Sequence, residues 1–241
     1  MSKLRLDELL VSKGLVETKN KAYRLVMAGE VTVNGKIATK AGNQVSEDSV
    51  IEIAQKPAYV SRGGIKLDYA LNQFHLDVSA LAAVDIGAST GGFTDCLLQK
   101  GANRVYAVDV GRRQLDYKLI QNPRVNILDK TNVHYPFSLP EKVDLATIDV
   151  SFISLIKVVP NVIQHLKPCG YLIVLLKPQF EAEKQEVGKG GIIKDPLIHA
   201  RVIGRFIIWA IENRLRLRGL VESPITGAEG NREFLVWLSQ Y

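Results

Sequence analysis

Charged side chains stand where three apolar segments of this sequence end or begin. Asp149 closes the segment at residues 143–150, Lys177 closes residues 171–177, and Glu233 opens residues 233–239. The ends of parallel strands converge on one crevice of a sheet, so these three side chains are expected to lie together. A lysine beside carboxylates could orient a hydroxyl group or accept its proton. Glu233 taken alone fits a solvated strand end equally well.

A glycine-rich turn stands between an apolar segment and a helical pattern. It runs through Asp85, Gly87, Ala88, Ser89, Thr90, Gly91, Gly92 and Phe93. Glycine lets the backbone approach a ligand closely, and a helix begins with free N–H groups. In an open parallel sheet a nucleotide-like ligand binds at such a turn. The next apolar segment ends at Asp109 and Val110, where a carboxylate can accept hydrogen bonds from both hydroxyls of a ribose.

The spacing of the glycines distinguishes two classes of nucleotide ligand. A dinucleotide site has the pattern Gly-x-Gly-x-x-Gly, whose second glycine lets a pyrophosphate reach the backbone. Here Ser89 stands at that position. Asp85, which precedes the turn, suits a cationic amino acid group better than a pyrophosphate. Both features favour S-adenosylmethionine (SAM) over NAD.

A parallel sheet is needed to bring these residues together, and the sequence after residue 81 predicts one. Apolar segments alternate with amphipathic helices, which is typical of an α/β fold with helices on both faces of the sheet. The predicted strands cover residues 83–87, 105–110, 125–128, 143–150, 171–177, 217–222 and 233–239. The predicted helices cover residues 61–73, 92–99, 114–120, 155–166 and 197–213.

The first sixty residues follow a different pattern. Two short helices are predicted. The first has Leu6, Leu9, Leu10 and Leu15 at roughly helical spacing, and the second is capped by Thr18. A tight hairpin turns at Asn34-Gly35 between β-branched residues. The basic residues of this region outnumber its acidic ones. Together these features predict a compact α+β module over residues 1–56, followed by a linker over residues 57–62.

This module resembles the S4-type RNA-binding domain. The likeness rests on Arg5-Leu6-Asp7-Glu8-Leu9-Leu10, on Lys21-Ala22 and on Gly29-Glu30-Val31-Thr32-Val33-Asn34-Gly35. The resemblance implies that the module binds RNA without carrying out chemistry. The candidate RNA-binding residues are the basic side chains Arg5, Lys13, Lys19, Lys21, Arg24 and Lys36, with Arg62 just beyond the module.

Residues 63–241 resemble the FtsJ-like RNA ribose methyltransferases. The motif Ser61-Arg62-Gly63-Gly64-Ile65-Lys66-Leu67 adds a second lysine, and the family's catalytic tetrad then corresponds to Lys66, Asp149, Lys177 and Glu233. The order of motifs along the whole chain is similar to that of the TlyA family, whose members carry both hemolysin and rRNA 2′-O-methyltransferase names. The resemblance implies a Rossmann-like domain with a mainly parallel seven-stranded sheet. It also implies that the segment Asp129, Lys130, Thr131 and Asn132 faces the adenine end of SAM.

Other functions compete with 2′-O-methylation of ribosomal RNA. Methylation of an exocyclic amine commonly uses an Asn/Asp-Pro-Pro-Tyr/Phe loop, whereas Asp149 is followed by Val150-Ser151-Phe152. Methylation of cytosine C5 needs a cysteine nucleophile, but Cys96 fits a core position and Cys169 lies in a turn away from the ligand. A membrane-active hemolysin, or an RNA-binding protein with an inactive methyltransferase fold, stays an alternative. A pore former needs spans that can insert, and none is evident.

Composition is consistent with an enzyme of the cytoplasm that acts on a polyanion. The chain has 241 residues with a formal net charge of +6, and its two cysteines suit a reducing compartment. Its first residues lack the apolar stretch of a signal peptide. The four histidines lack metal-ligand spacing, so no metal is expected. The polar segment at residues 181–195 fits either a mobile lid or an ordinary loop.

Overall fold

The computed structural model describes residues 3–53 and 57–241 and divides the chain into two compact units, Met1–Pro57 and Ala58–Tyr241. The first unit contains two helices, α1 (Leu6–Ser12) and α2 (Lys19–Met27). It also contains five short strands, namely β1 (Lys3–Arg5), β2 (Val31–Val33), β3 (Lys36–Ile37), β4 (Gln44–Ser46) and β5 (Ile51–Ile53). The first unit is therefore the α+β module that the sequence predicts.

Local sequence signals account for the shape of the first unit. The hydroxyl of Thr18 accepts a hydrogen bond from the amide of Lys21 at 3.2 Å and so caps α2. Strands β2 and β3 join through Asn34 and Gly35, whose φ angles of 49° and 76° are those of the predicted tight hairpin turn. The core of the first unit contains Leu6 and Leu10 from α1, Ala22 and Val26 from α2, and Val31 from β2.

Two features of the first unit differ from the sequence prediction. Leu15, which the helical pattern places inside, is 43% exposed because α1 ends at Ser12 and Gly14 redirects the chain with a φ of 68°. Strand β1 pairs antiparallel with β4. Neither strand was predicted, because Lys3-Leu4-Arg5 and Gln44-Val45-Ser46 each hold a single apolar residue and give no strand pattern.

The second unit is built on one seven-stranded sheet. Its strands are β6 (Ala82–Ile86), β7 (Arg104–Val108), β8 (Val125–Leu128), β9 (Val143–Ile148), β10 (Leu166–Leu176), β11 (Leu215–Glu222) and β12 (Phe234–Gln240). They lie in the order β11-β12-β10-β9-β6-β7-β8, and all pairs are parallel except the two that β12 makes. The chain runs from β6 outward to β8 and then returns to the other side of β6. The strand order therefore reverses between β6 and β9, which is where open α/β sheets bind ligands.

Helices cover both faces of this sheet. They are α3 (Arg62–Gln73), α4 (Gly92–Gln99), α5 (Tyr117–Ile120), α6 (Leu155–Ile163), α7 (Pro178–Glu181) and α8 (Pro196–Glu212). Neighbouring strand residues face opposite layers: Ala83 and Leu145 pack with α3 and α4, whereas Val84 and Ala146 pack with α6 and α8. Both faces are buried, which explains why the strands read as continuous apolar runs. The predicted fold class is confirmed.

Several predicted boundaries move in the structure. Residues 58–62, assigned to a linker, belong to the second unit: Tyr59 is buried, and the amide of Val60 donates to Asp95 Oδ2 at 2.9 Å. Tyr59 packs against Gly64, where a Cβ would lie 2.3 Å from its ring. Gly64 belongs to α3, so the sequence pattern of the linker segment alone does not predict this contact. Strand β10 begins at Leu166. It continues through a register shift between Leu166 and Tyr171, where the sequence predicts a turn.

Candidate functional site

The glycine turn between β6 and α4 is shaped by backbone angles that few residues other than glycine adopt. Gly87 and Gly91 have φ angles of 79° and 95°, and Ser89 between them has a φ of 48°. The amide of Gly87 donates to the carbonyl of Val108 at 2.9 Å, which ties the turn to the end of β7. A Cβ at Gly87 would lie 2.4 Å from the carbonyl oxygen of Asp149. The turn therefore lies directly against the end of β9.

Asp85 lies beneath this turn and not in contact with a ligand space. It is fully buried, and its carboxylate accepts hydrogen bonds from the hydroxyls of Thr94 at 2.7 Å and Thr147 at 3.0 Å. Burial raises the pKa of Asp85 to about 6, although the two hydroxyl donors act in the opposite direction. The assignment of Asp85 to a cationic amino acid group stays a prediction, and in the structure the residue joins β6, α4 and β9.

Asp109 follows β7 and faces the ligand side of the turn. Its Oδ2 accepts a hydrogen bond from the amide of Ser89 at 2.8 Å, and its Oδ1 accepts one from the amide of Gly111 at 2.7 Å. A carboxylate has about four lone-pair sites, so each oxygen can still accept another donor. The side chain is thus fixed in place while keeping the capacity to bind two hydroxyl groups.

A cavity of about 1120 Å³ opens at this edge of the sheet. Of the predicted cofactor residues, Gly87, Ser89, Asp109, Val110, Thr131 and Asp149 line it. A smaller adjoining space of about 120 Å³ is lined by Lys66 and Asp149 together with Gly87, Ala88, Ser89, Thr90, Gly92 and Phe93. The structure therefore brings most of the predicted turn and two of the predicted catalytic residues to one place.

Three other predicted cofactor residues do not line either space. Gly91 is needed for packing, because a Cβ there would lie 2.2 Å from the side chain of Leu119. Asp129 accepts a hydrogen bond from the amide of Arg113 at 3.0 Å, and Lys130 is exposed with a φ of 57°. The other two members of that predicted segment, Thr131 and Asn132, line the cavity.

Other residues that line the cavity were not predicted from the sequence. They are Gln114, Val133, His134, Ser151, Phe152, Ile153, Ser154, Lys157 and Phe180. Val133 and His134 directly follow the predicted segment that ends at Asn132, so a longer window after β8 would have found them. The local sequence does not predict that Phe152 reaches the cavity, because its φ of 64° is rare for an aromatic residue.

Phe152 is an exposed aromatic ring beside the charged residues of the site. It is 91% exposed, and its ring centroid lies 5.1 Å from that of Phe180. The Nζ atom of Lys177 lies 6.0 Å from the Phe180 ring centroid. An exposed phenylalanine costs solvation free energy, and here it offers a flat apolar surface at the cavity mouth.

The four predicted catalytic residues form two ion pairs. Lys177 Nζ lies 2.6 Å from Asp149 Oδ1, and Lys66 Nζ lies 2.5 Å from Glu233 Oε2. The Lys66–Glu233 pair is the more deeply buried, with side chains 10% and 4% exposed, against 11% and 23% for Lys177 and Asp149. Lys177 and Asp149 follow β10 and β9. Lys66 lies in α3, and Glu233 directly precedes β12. In each pair the carboxylate balances the charge of the lysine, so the site forms only when these three strands and α3 fold together.

Glu233 is also enclosed by the loop that precedes β12. A Cβ at Gly227 would lie 2.6 Å from Glu233 Oε1, so only glycine fits there without displacement. Asn231, which is 1% exposed, accepts a hydrogen bond from the amide of Ile193 at 3.0 Å and donates to the carbonyl of Gly191 at 2.9 Å. These contacts fix the end of the polar segment at residues 181–195 against the Glu233 loop.

The start of the same polar segment is anchored as well. Glu181 accepts hydrogen bonds from the hydroxyl of Ser154 and the amide of Leu155. Glu186 forms ion pairs with Arg201 at 2.6 Å and Arg205 at 2.9 Å. The Glu183 amide and these two arginines lower the pKa of Glu186 to about 2. These contacts favour the ordinary, anchored loop over a mobile lid.

The predicted RNA-binding residues differ in how much of their charge is already engaged. Four make contacts within the first unit: Arg5 with Asp7 at 2.7 Å, Lys13 with the Ser49 carbonyl at 3.1 Å, Lys19 with Glu8 at 2.8 Å and Lys21 with Glu17 at 3.5 Å. Arg62 donates to the carbonyl of Thr226 in the second unit. Within residues 3–53, Arg24 and Lys36 have no hydrogen bond or ion pair to a side chain.

The cavity fits SAM in the features that the side chains provide. Gly87 and Ser89 bring the backbone of the turn to the cavity, and Asp109 keeps free lone pairs for a ribose diol. The residues that would hold the cofactor are Gly87, Ser89, Asp109, Thr131 and Asp149. Among the described residues no group of histidine, cysteine and acidic side chains could hold a metal ion. No helix in residues 3–53 or 57–241 is long and apolar enough to cross a membrane.

Comparison with known proteins bears on both units. The model of the FtsJ-like methyltransferase family matches residues 59–240, and the model of the S4 domain matches residues 4–51. A Bacillus subtilis (strain 168) protein named as an rRNA methyltransferase, YqxC, is 47% identical over 243 residues, covering 98% of this chain and 85% of its own length.

Two further relatives carry different names. A Mycobacterium tuberculosis (strain ATCC 25618 / H37Rv) protein named 16S/23S rRNA (cytidine-2′-O)-methyltransferase TlyA is 39% identical over 238 residues, covering 97% of this chain and 89% of its own. A solved structure from Streptococcus thermophilus, named as a hemolysin, has a TM-score of 0.74 at 42% identity and covers 100% of this chain and 89% of that one.

Proposed function

This chain belongs to the FtsJ-like methyltransferase family, and we propose that it transfers the methyl group of SAM to a ribose 2′-hydroxyl of ribosomal RNA. Membership of the family confirms the predicted methyltransferase and its SAM cofactor. The observation that carries the choice of a hydroxyl is the Lys177–Asp149 pair, which lies beside the glycine turn at the cavity. The name of the Mycobacterium tuberculosis relative supports ribosomal RNA as the substrate.

The chemistry assigns distinct tasks to the cofactor and to the protein. Bound SAM supplies an electrophilic methyl group on a sulfonium, so the chain needs neither a metal nor an acid for the leaving group. The residues of the chain must align the ribose hydroxyl and assist removal of its proton. An amine at the end of β10, held against a carboxylate at the end of β9, has the right chemistry for the second task.

Lys177 is the residue we assign to the proton of the hydroxyl. As a neutral amine it would take the proton, and as an ammonium it would orient the hydroxyl and stabilise the developing negative charge on oxygen. Both roles require the amine and both use Asp149 to hold it. Arginine keeps the charge but does not act as a base at neutral pH, so Lys177→Arg separates the two roles.

Lys66 and Glu233 are assigned to substrate positioning. Their pair is buried, and removal of either partner would leave an uncompensated buried charge, at a cost of about 3–5 kcal/mol. Lys66 also lines the small space next to Asp149, where it can reach a ribose or its phosphate. The pair therefore contributes to the shape of the site as well as to its charge.

The S4 domain is proposed to supply affinity for structured RNA through contacts with phosphates. The chain carries a formal net charge of +6. Among residues 3–53, no acidic side chain pairs with Arg24 or Lys36. A cytoplasmic location agrees with a ribosomal substrate.

The test is a map of 2′-O-methylation in ribosomal RNA after incubation of unmodified subunits with SAM and the full-length protein. We expect one or a few new ribose methyl groups with wild-type protein and none with Lys177→Ala. Activity in Lys177→Arg would assign the charged role, and its loss would favour the base. Methylation on a base, or no methylation by wild-type protein, would contradict the proposal.

A matched control lies at the other end of the same two strands. Lys167 pairs with Asp144 at 2.9 Å near the starts of β10 and β9, and its side chain is 44% exposed. A surface ion pair of this kind contributes at most about 1 kcal/mol. Lys167→Ala is therefore expected to methylate like wild-type protein, which would show that the loss in Lys177→Ala depends on the place of the lysine.

A further inference from the structure

Lys177 donates a hydrogen bond to a residue that the catalytic tetrad does not include. Its Nζ atom lies 2.9 Å from the hydroxyl oxygen of Ser151 and 2.6 Å from Asp149 Oδ1. Both partners belong to the segment that follows β9, and both line the large cavity. Ser151 is thus the nearest neutral polar group to the amine that the proposed reaction uses.

The two partners restrict the direction in which the amine can act. A lysine nitrogen has four tetrahedral positions, of which one is its own carbon and one points at the hydroxyl of Ser151. The ion pair with Asp149 holds the nitrogen near the end of β9. The remaining positions carry N–H groups in the ammonium, and one of them carries the lone pair in a neutral amine that donates an N–H to Ser151.

We propose that Ser151 is a positioning residue for Lys177 and that, with Asp149, it orients the nitrogen so that one of its free positions faces the ribose hydroxyl. The inference rests on the proposed function, since it concerns the same amine. Asp149 balances the charge of the lysine. Ser151 adds direction, because its hydroxyl oxygen can accept one N–H of Lys177 in either protonation state.

The surroundings of Ser151 argue against a purely structural role. The residue is exposed, and its contact with Lys177 is the one hydrogen bond that its side chain makes to another described side chain. Removing the hydroxyl would leave no buried polar group unsatisfied, because Lys177 keeps its pairing with Asp149. The next residue, Phe152, has a φ of 64°, so the chain turns sharply just after placing the hydroxyl at the amine.

The test compares Ser151→Ala with Ser151→Thr in the full-length protein. Single-turnover methylation of ribosomal RNA is measured at saturating SAM and RNA, with SAM affinity measured by calorimetry. A misplaced amine is expected to lower the rate of Ser151→Ala by roughly 10- to 100-fold. We expect SAM affinity and the KM for RNA to be unchanged. Ser151→Thr keeps the hydroxyl and is expected to retain most of the activity.

A control serine lies elsewhere on the same unit. Ser138 is exposed and is not part of the cavity wall, so Ser138→Ala is expected to match wild-type protein. Wild-type activity in Ser151→Ala would overturn the inference and leave the proposed function intact. A fall in SAM affinity, or failure of Ser151→Thr to retain activity, would assign Ser151 to the fold and overturn it too. Absence of methylation by wild-type protein would overturn both proposals.

Discussion

At the scale of single residues, Asp109 shows how one carboxylate can serve both the fold and a ligand. Two backbone amides hold it, from Ser89 and Gly111, and they leave lone pairs on both oxygens. Because these donors fix the carboxylate before a ligand arrives, little freedom is lost on binding. Affinity for SAM is therefore expected to depend strongly on this side chain.

Asp109→Asn is expected to weaken binding of SAM. A hydrogen bond to a charged group contributes about 1.5–3 kcal/mol, so the loss of one or more corresponds to a tenfold or greater rise in Kd. Isothermal titration calorimetry measures this change in Kd. Asp129→Asn is the matched control, because Asp129 does not line the cavity and its partner is the amide of Arg113. Equal losses in both variants would disprove the assignment of Asp109 to the ribose.

Asp85 gives a second prediction, which concerns the pH dependence of stability. Its pKa is about 6 in the folded protein, above the ordinary value of 3.8, because the carboxyl is buried. Between pH 4 and pH 6 the folded state therefore keeps a proton that the unfolded state releases. Stability from this group is present below pH 4 and is lost as pH rises through 6, by on the order of 3 kcal/mol.

Asp85→Asn removes this titration, since an amide stays neutral. Compared with wild-type protein, the variant is expected to gain stability progressively as pH rises from 4 to 7. Urea unfolding at a series of pH values measures the difference. Asp77→Asn is a control of opposite sign, because hydrogen bonds from Ser79 lower the pKa of Asp77. A stability difference between wild type and Asp85→Asn that stays constant with pH would refute a buried, protonated Asp85.

At the scale of elements, the turn after β6 has no room for a side chain. A Cβ at Gly87 would lie 2.4 Å from the Asp149 carbonyl oxygen, and the φ of 79° is unfavourable for alanine. Gly87→Ala is therefore expected to cost at least about 1–2 kcal/mol in the free energy of unfolding and to displace the end of β9. Reduced SAM affinity should accompany the loss, and thermal unfolding with calorimetry measures both.

A glycine in α8 provides the matched control. Gly204 has helical geometry, and a Cβ there would meet no atom within 4 Å. Gly204→Ala is expected to stabilise the protein by about 0.5–1 kcal/mol, because alanine loses less freedom in a helix. The two substitutions are therefore expected to change the free energy of unfolding in opposite directions, because the two glycines differ in backbone angle and in the space around a Cβ. Equal effects would mean that the turn can yield to a side chain.

Elements that follow from local patterns were predicted, and those that depend on distant contacts were not. The continuous apolar runs of β6 and β9 predict buried strands, and Thr18 and Asn34-Gly35 predict a cap and a hairpin that the structure contains. Tyr59 and Asp85 could not be placed in this way. The first is buried by α3 through Gly64, and the second is bonded to a threonine on another strand.

The same distinction applies to the site. Lys177, Asp149 and Glu233 are strand ends of one sheet, so their convergence follows once a parallel sheet is inferred. Ser151 and Phe152 depend on how the chain leaves β9, and a left-handed phenylalanine has no local sequence signal. The proposed catalytic residues were therefore more predictable than the residues that position them.

At the scale of the whole molecule, charge in the first unit is divided between fold and surface. Arg5 and Asp7 form a two-point ion pair in which the arginine lowers the pKa of the aspartate, and Lys19 balances Glu8. Charges committed in this way contribute less to binding a polyanion, because they are already partly neutralised. Arg24 on α2 and Lys36 on β3 have no such partner among residues 3–53.

These two cations are expected to supply a measurable part of the affinity for RNA. Each neutralised phosphate releases condensed counterions, and the slope of log K against log salt falls by nearly one unit for every cation removed from a phosphate. We expect Arg24→Glu combined with Lys36→Glu to weaken RNA binding at low salt and to reduce the slope by about two. Binding of the full-length protein to ribosomal RNA fragments, measured by fluorescence anisotropy from low to high salt, tests this.

The control must change the net charge equally while leaving the S4 domain untouched. Arg216 and Arg218 on β11 are exposed and lie over the rings of Tyr241 and Trp237, so Arg216→Glu with Arg218→Glu makes the same change of charge in the second unit. If affinity came from net charge alone, both double variants would reduce the slope equally. Phosphate binding by the first unit predicts a larger reduction for Arg24 and Lys36, with SAM affinity unchanged. An unchanged slope in that variant would show that these two side chains do not meet the phosphates.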